Sequence, residues 1–387
     1  MRSAARIALF ALLFASASLA KEPSRPIHGF FYRHDQIPDG PWSIHIVKID
    51  RSNPNFELQT MLPPGRRFGL VKLSAQVKAL ADEHNHVIAA INGDYYENHA
   101  SYLGDPQGLQ IMRGELISAP FDWTCFWIEP SGKPNMGKVD AKFQLTLPNG
   151  AVLPFGLNQA RADDEAVIYT TAVGPKTGAR GGLELTLEPW SLATQLPFRA
   201  GERYFARVVA VNKSGNSATS SNRLILSIGS SILKKTPALE VGDMIRISTA
   251  TSPSLRNVQT AIGGGPAILR DRKRAFPKQG RVRHPRSVVG WSDKYIYLVE
   301  VDGRQRNLSV GMTLEEISDY LLKIGCDNAM CLDGGGSSTL WALGQVMNNP
   351  SEGHERGAAN GLAILSREPV THDSPGSHGA AFSPSAP

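Results

Sequence analysis

Apolar positions fall at two spacings along the chain. Ile44, Ile46 and Ile49, then Phe56, Leu58 and Met61, alternate closely enough with polar neighbours to predict strands within residues 42–61. Val77, Leu80 and Ala81 form a helical stripe, with Ser74 as its cap and Asn85 as its end. Val87-Ile88-Ala89-Ala90-Ile91 is wholly apolar, as a strand buried on both faces would be, and it stops at the polar turn Asn92-Gly93-Asp94. From 139 to 250 the pattern is strands broken by turns such as Pro148-Asn149-Gly150 and Lys213-Ser214-Gly215-Asn216, with no helix predicted.

The last third is the most legible. Tyr295–Val301 reads as a buried strand that ends at Asp302-Gly303-Arg304. Thr313-Leu314-Glu315-Glu316 is a capping box; it opens a helix whose apolar face is Leu314, Ile317, Leu321 and Ile324, and Gly325 closes it. Residues 329–332 form a further strand that runs into Asp333-Gly334-Gly335-Gly336-Ser337-Ser338-Thr339, after which Leu340 resumes strand. Together these elements predict an α+β fold: a mixed β-sheet core with few helices and a β-rich middle segment.

Composition agrees with many short strands, since 37 Gly and 26 Pro supply turns and charged residues make up only 20%. Arg2 and Arg6, the apolar stretch 7–14 and Ser18-Leu19-Ala20 have the order of a signal peptide over residues 1–20, so a secreted or periplasmic protein is expected. Lys21 in place of Cys excludes a lipoprotein anchor there, and no later stretch predicts an integral membrane segment. Residues 21–370 are expected to form one domain, with a motif-rich core over 260–366 and a β-rich insertion over about 139–250. The tail 371–387, built of Ser, Pro, Gly and Ala, is expected to be disordered. An odd cysteine count (Cys125, Cys326, Cys331) leaves at least one free thiol or an intermolecular bridge, and no two have zinc-site spacing. Net charge is +6, and Arg270, Arg272, Lys273, Arg274, Lys278, Arg281, Arg283 and Arg286 crowd one stretch. Such a run either attracts polyanions or is a solvated loop. A nucleic-acid partner is not expected, because no helix-turn-helix, aromatic-studded sheet or zinc finger accompanies the charge.

Two strands thus end in Asp-Gly, joined by a helix of crossover length. As neighbours in one sheet they would bring Asp302 and Asp333 out at one edge, a carboxylate pair suited to acid–base work or to an oxocarbenium-like centre. Asp-Gly alone is also a common turn. The run from Gly334 to Thr339 adds close backbone approach, amides and hydroxyls for anionic oxygens. It is not a phosphate loop, since neither a Lys nor a helix follows, and no Gly-x-Ser-x-Gly elbow occurs. The histidines lack metal-ligand spacing, so neither a metal nor another cofactor is expected.

Several runs, taken in order, resemble the phosphodiester glycosidase family. They are Ile91-Asn92-Gly93-Asp94-Tyr95-Tyr96, Gly263-Gly264-Gly265-Pro266, His284-Pro285-Arg286-Ser287-Val288-Val289-Gly290, Val301-Asp302-Gly303-Arg304-Gln305, Gly311-Met312-Thr313-Leu314, Leu332 to Thr339, and Glu355-Arg356-Gly357-Ala358-Ala359-Asn360. The resemblance spans roughly residues 40–366 and is strongest after 260. Asp94 stands where the family more often has Gly, and Ser287 where it more often has Thr. The resemblance implies hydrolysis of a sugar-1-phosphodiester at the anomeric carbon, on a phosphate-bearing glycan or a cell-wall or exopolysaccharide component. Asp333, with Asp302 or Asp94, would act as nucleophile or as base for water. Arg286 and Arg304 would hold the phosphodiester through forked hydrogen bonds. Asn92, Asp94, His284, Ser287, Gly334, Gly335, Gly336, Ser337, Ser338, Thr339, Arg356 and Asn360 would complete the substrate site. Two alternatives compete: a non-catalytic glycan binder of the same fold, and a metal phosphodiesterase that cuts the P–O bond.

Overall fold

The computed structural model describes residues 27–81, 86–98, 102–190, 196–276 and 282–367. The expected signal peptide, the expected tail, Asn85, Lys278 and Arg281 lie outside these residues. No helix among them is long and apolar enough to cross a membrane.

The chain is mostly β. Helix among the described residues is confined to Leu73–Leu80, Ser230–Leu233 and Leu314–Lys323, besides single 3-10 turns, so the α share is smaller than an α+β label suggests. Among the described residues every strand pairing runs antiparallel except that of Gly156–Leu157 with Ala166–Tyr169. The core sheets are therefore antiparallel rather than mixed, because most connections are turns and loops and very few are crossover helices.

The largest core sheet has seven strands in the order Phe30–Ile37, Trp42–Asp50, Tyr295–Val301, Arg286–Trp291, Asn328–Cys331, Ala267–Arg270 and Lys273–Arg274. One face packs on the helix Leu314–Lys323, where Ile317 and Leu321 meet Ile44, Val288 and Val299. Ile317 and Leu321 are fully buried, each contributing roughly 1.5–3 kcal/mol. The capping box forms as expected, the Thr313 side chain and the Glu316 side chain each meeting the other residue's backbone N–H, and Gly325 (φ 85°) ends the helix. The other face packs on two five-stranded sheets, through Val47, Val289 and Leu298 against Ile88, Leu362, Phe126 and Ile262. Burial on both faces explains why these strands read as apolar runs.

A separate eight-stranded sheet is built from strands between Asp140 and Ser252. Its core is continuous with Leu109, Ile111 and Trp127 of a neighbouring sheet. The first helix begins at Leu73 rather than being capped by Ser74. Ser74 instead donates through its amide and hydroxyl to the Glu355 carboxylate, a long-range pairing invisible to local pattern. All three cysteines are buried and unpaired.

Part of the basic stretch is held by local acids. Arg272 pairs with Asp327, Arg274 with Glu315 and Asp319, and Arg283 with Glu316. These acids lie on or beside the helix Leu314–Lys323, so these three arginines belong to a solvated, charge-paired surface.

Candidate active site at the end of the seven-stranded sheet

Tyr295–Val301 and Asn328–Cys331 both pair antiparallel with Arg286–Trp291, which lies between them. They therefore run parallel, and Asp302 and Asp333 emerge at the same end of the sheet. Sharing an end does not bring the two carboxylates into one cluster.

Asp302 is 1% exposed. Its carboxylate accepts from Ser43 Oγ (2.8 Å) and the Asn349 amide (2.8 Å), with His45 Nε2 at 3.3 Å. The ligand atoms of His45, Glu300 and Asp302 lie within 4.8 Å of one another, the one set among the described residues that could hold a metal ion. The donors already on Asp302 satisfy its charge, however. Burial and the Asp302 charge push the Glu300 carboxyl well above the usual carboxylate range, which favours its protonated form. This cluster is a buried polar bolt between the Asp302 turn and the loop at Asn348-Asn349, and it leaves Asp302 no free face for a substrate.

Asp333 is only partly covered. Its amide donates to the Gly93 carbonyl (2.8 Å), and its own carbonyl accepts from Asn92 Nδ2 (2.7 Å). Asn92 Oδ1 accepts from Ser287 Oγ (2.6 Å) and from the Thr339 amide (3.0 Å). One buried asparagine thus ties together three strand ends and the far side of the 334–339 loop, at about 1 kcal/mol per hydrogen bond. Burial raises the Asp333 carboxyl to about 6, against the opposing pull of Ser337, the Arg356 guanidinium and the Gly334 amide.

The carboxylate that shares these surroundings is Asp94. It is 2% exposed, accepts from the amides of Gly108 (2.7 Å) and Tyr95 (2.8 Å), and its own amide donates to Asn360 Oδ1 (2.8 Å). Burial, with the Asp333 charge adding to it, raises Asp94 to about 7. A β-carbon on Gly263 or Gly108 would overlap its Oδ2, which gives the Gly263-Gly264-Gly265 run a structural reason.

The glycine loop serves the arginines. Gly335 (φ 64°) has the Arg304 guanidinium where a β-carbon would sit, 2.9 Å from Nη2, and the space beside Gly336 is filled by the Arg356 guanidinium. Arg356 is ion-paired with Glu352. Arg304 Nη2 lies 3.4 Å from His284 Nδ1, and burial together with Arg286 and Arg304 lowers the pKa of His284. Arg286 is more committed than expected, since its Nε donates to the Met312 carbonyl (2.9 Å) and Nη2 to that of Val282 (3.3 Å). Ser338 turns inward: its hydroxyl is buried and its carbonyl accepts from Asn348 Nδ2 (3.1 Å). Of the expected site residues, the structure gathers Asn92, Asp94, His284, Arg286, Ser287, Arg304, Arg356, Asn360 and the 334–339 loop around Asp333, and sets Asp302 apart. It adds Tyr95, whose phenol is raised by burial and then by the Asp333 charge. Tyr95 stood within a quoted motif, which was its only signal in the sequence.

Comparison with known proteins fits this architecture. A hypothetical protein from Synechocystis superposes with a TM-score of 0.66 at 20% identity, covering 90% of this chain and 64% of that one. A Burkholderia pseudomallei protein superposes with a TM-score of 0.60 at 20% identity, covering 84% and 74%. At these identities the likeness is one of fold. The prophage-derived protein YomE of Bacillus subtilis is 42% identical over 84 residues, 21% of this chain and 13% of its own length. The chain thus spans a small part of that relative and just under two thirds of the Synechocystis protein. The resemblance carried by the motifs is borne out over the segment that holds Asp302, the glycine–serine loop and Arg356: residues 206–365 match the model of the phosphodiester glycosidase family.

Proposed function

We propose that this chain is a phosphodiester glycosidase that hydrolyses a sugar-1-phosphodiester at the anomeric carbon, releasing the free sugar and leaving phosphate on the aglycone. One observation carries the reading: a partly accessible carboxyl, Asp333, stands beside a glycine loop over which two guanidinium groups, Arg304 and Arg356, are laid. Phosphate departs readily once its charge is held. The demand then falls on the positive charge that builds at the anomeric carbon, and ionised Asp333 is suited to face it. Asp94 is too deeply buried to touch a substrate and acts from behind, holding the turn through the Gly108 and Tyr95 amides. Asp302 supports Arg304 through the Asp302-Gly303-Arg304 turn. The signal-like pattern of residues 1–20 supports an exported enzyme, with a phosphate-bearing cell-wall or exopolysaccharide glycan as its substrate class.

A panel of sugar-1-phosphodiesters tests this, with the phosphate located in the products by phosphorus NMR. Release of reducing sugar by the wild type, abolished in a folded Asp333→Asn variant, is the expected result. Saturable glycan binding without any product would favour the non-catalytic alternative.

A further inference from the structure

A cavity of about 330 Å³ opens beside the candidate site, lined by Tyr95, Asp122, Trp123, Thr124, Gly265 and Pro266. No arginine lines it, whereas Arg304 and Arg356 lie over Gly335 and Gly336. Tyr95 and Gly265 join the cavity to the reacting group: the Asp333 amide donates to the Gly93 carbonyl (2.8 Å) at the start of the Tyr95 turn, and the Gly265 amide donates to the Cys331 carbonyl (2.8 Å) two residues before Asp333. Asp333 therefore has guanidinium groups over the glycine loop that follows it and aromatic rings at the adjoining cavity, with Arg286 near enough to act on the Tyr95 phenol.

The aromatic side carries large apolar rings at the surface without an obvious packing reason. Trp123 is 38% exposed and Phe121 is 55% exposed. Trp123 meets Tyr95 edge to face at 4.9 Å and Phe121 edge to face at 5.8 Å. Both contacts are near-perpendicular, at 77° and 81°, so these neighbours hold the indole in place while it keeps over a third of its surface exposed beside the cavity. Gly265 forms part of the floor beside Tyr95 and Cys331, where a β-carbon would make only ordinary contacts, 3.4 Å from the Tyr95 hydroxyl and 3.5 Å from Cys331 Cβ. The polar groups are few. Tyr95 keeps its proton, because burial and Asp333 both raise its pKa, and so can donate. Asp122 can accept, while paired with Lys138. A concave, mostly apolar wall with a few placed polar groups is what a small ring-shaped ligand needs, and this volume lies at the low end for such sites.

We infer that this cavity is the glycone subsite and takes a single neutral pyranose ring stacked on Trp123, with its anomeric carbon toward Asp333 and the phosphate on the arginine side. The inference rests on the proposed phosphodiester glycosidase reading. An acidic sugar is disfavoured, because Asp333 would face its carboxylate while the Asp122 charge is already held by Lys138. Trp123 binds the ring and takes no part in bond breaking, so it should act on KM and leave kcat nearly unchanged.

The test uses the full chain with Trp123→Ala and Trp123→Phe variants, and two readouts. Intrinsic tryptophan fluorescence is titrated with neutral methyl pyranosides and with a methyl glucuronide, and KM and kcat are measured on any sugar-1-phosphodiester the wild type cleaves. Expected is a pyranoside-induced fluorescence change that Trp123→Ala loses, weak response to the glucuronide, a KM raised about tenfold or more in the alanine variant, and recovery with phenylalanine. If the wild type cleaves nothing yet binds pyranosides through Trp123, the subsite stands and the hydrolytic reading falls. Cleavage with the same KM in Trp123→Ala as in wild type overturns the subsite and leaves the hydrolytic reading intact. Absence of any pyranoside binding together with absence of cleavage overturns both.

Discussion

A methyl group on Gly336 has nowhere to go. It would overlap Arg356 Nη2, and it would come within 2.4 Å of the Glu352 carboxylate, so Gly336→Ala must expel the guanidinium from its place beside Asp333. Gly336 does not have the left-handed φ of Gly335, so alanine adds no backbone strain. The Arg356–Glu352 pair is surface-exposed, 38% and 35%, and its displacement should cost less than about 1 kcal/mol of stability. Function should suffer more. A charge-assisted hydrogen bond to phosphate is worth roughly 1.5–3 kcal/mol, which corresponds to a loss of about 10- to 150-fold in kcat/KM. Arg356→Ala should show a similar loss, and the double variant should be no worse than Arg356→Ala alone, since both changes remove one interaction. Steady-state kinetics on a cleaved sugar-1-phosphodiester, with thermal melts in parallel, read both quantities. Full activity in Gly336→Ala, or losses that multiply in the double variant, would refute this account of the glycine loop.

Activity should require ionised Asp333, so kcat/KM is expected to fall tenfold per pH unit below about 6, the value to which burial raises this carboxyl; a flat profile down to pH 4.5 would remove Asp333 from the reaction. Asp302→Asn should lower the melting temperature, by the equivalent of about 1–3 kcal/mol, because the amide keeps its bond from the Asn349 N–H only by turning its nitrogen to Ser43 Oγ, whose hydroxyl must then stop donating to it. A variant that melts like wild type and is merely inactive would return Asp302 to the reacting groups. Asp94 reaches about 7 in the folded protein from an ordinary 3.8, so the fold binds its proton more tightly than the unfolded chain does. Its contribution to stability should therefore fall as pH rises from about 4 to about 7, by up to about 4 kcal/mol. Denaturant midpoints should show a shallower pH slope for Asp94→Asn than for wild type, and equal slopes would count against a neutral Asp94.

Much of this arrangement was legible because it is written locally. Thr313 to Glu316 is a capping box in sequence and in space, and Tyr295–Val301 is a strand whose apolar run needs burial on both faces. The runs containing Asn92, Asp94, His284, Arg304 and Arg356 also belonged together, although the Asn92 bolt joins residues up to 247 positions apart. What local pattern could not supply was direction. Asp302 and Asp333 both follow a buried strand and begin an Asp-Gly turn, yet His45 and Ser43 on the adjacent strand claim one of them. Ser74 looked like a cap because the partner that takes its hydrogen bonds, Glu355, is 281 residues away. The basic stretch reads in sequence either as a polyanion track or as a solvated loop, and only the fold brings Glu315, Glu316 and Asp319 against two of its arginines. Trp123 carried no sequence signal, since a lone surface tryptophan gains meaning only from the cavity it borders.

The central claim is that the bond broken is the one at the anomeric carbon. Hydrolysis of a sugar-1-phosphodiester in water enriched in heavy oxygen, followed by mass spectrometry of both products, reads that bond directly. The account predicts label in the released sugar and none in the phosphate. Label in the phosphate, with none in the sugar, would contradict it.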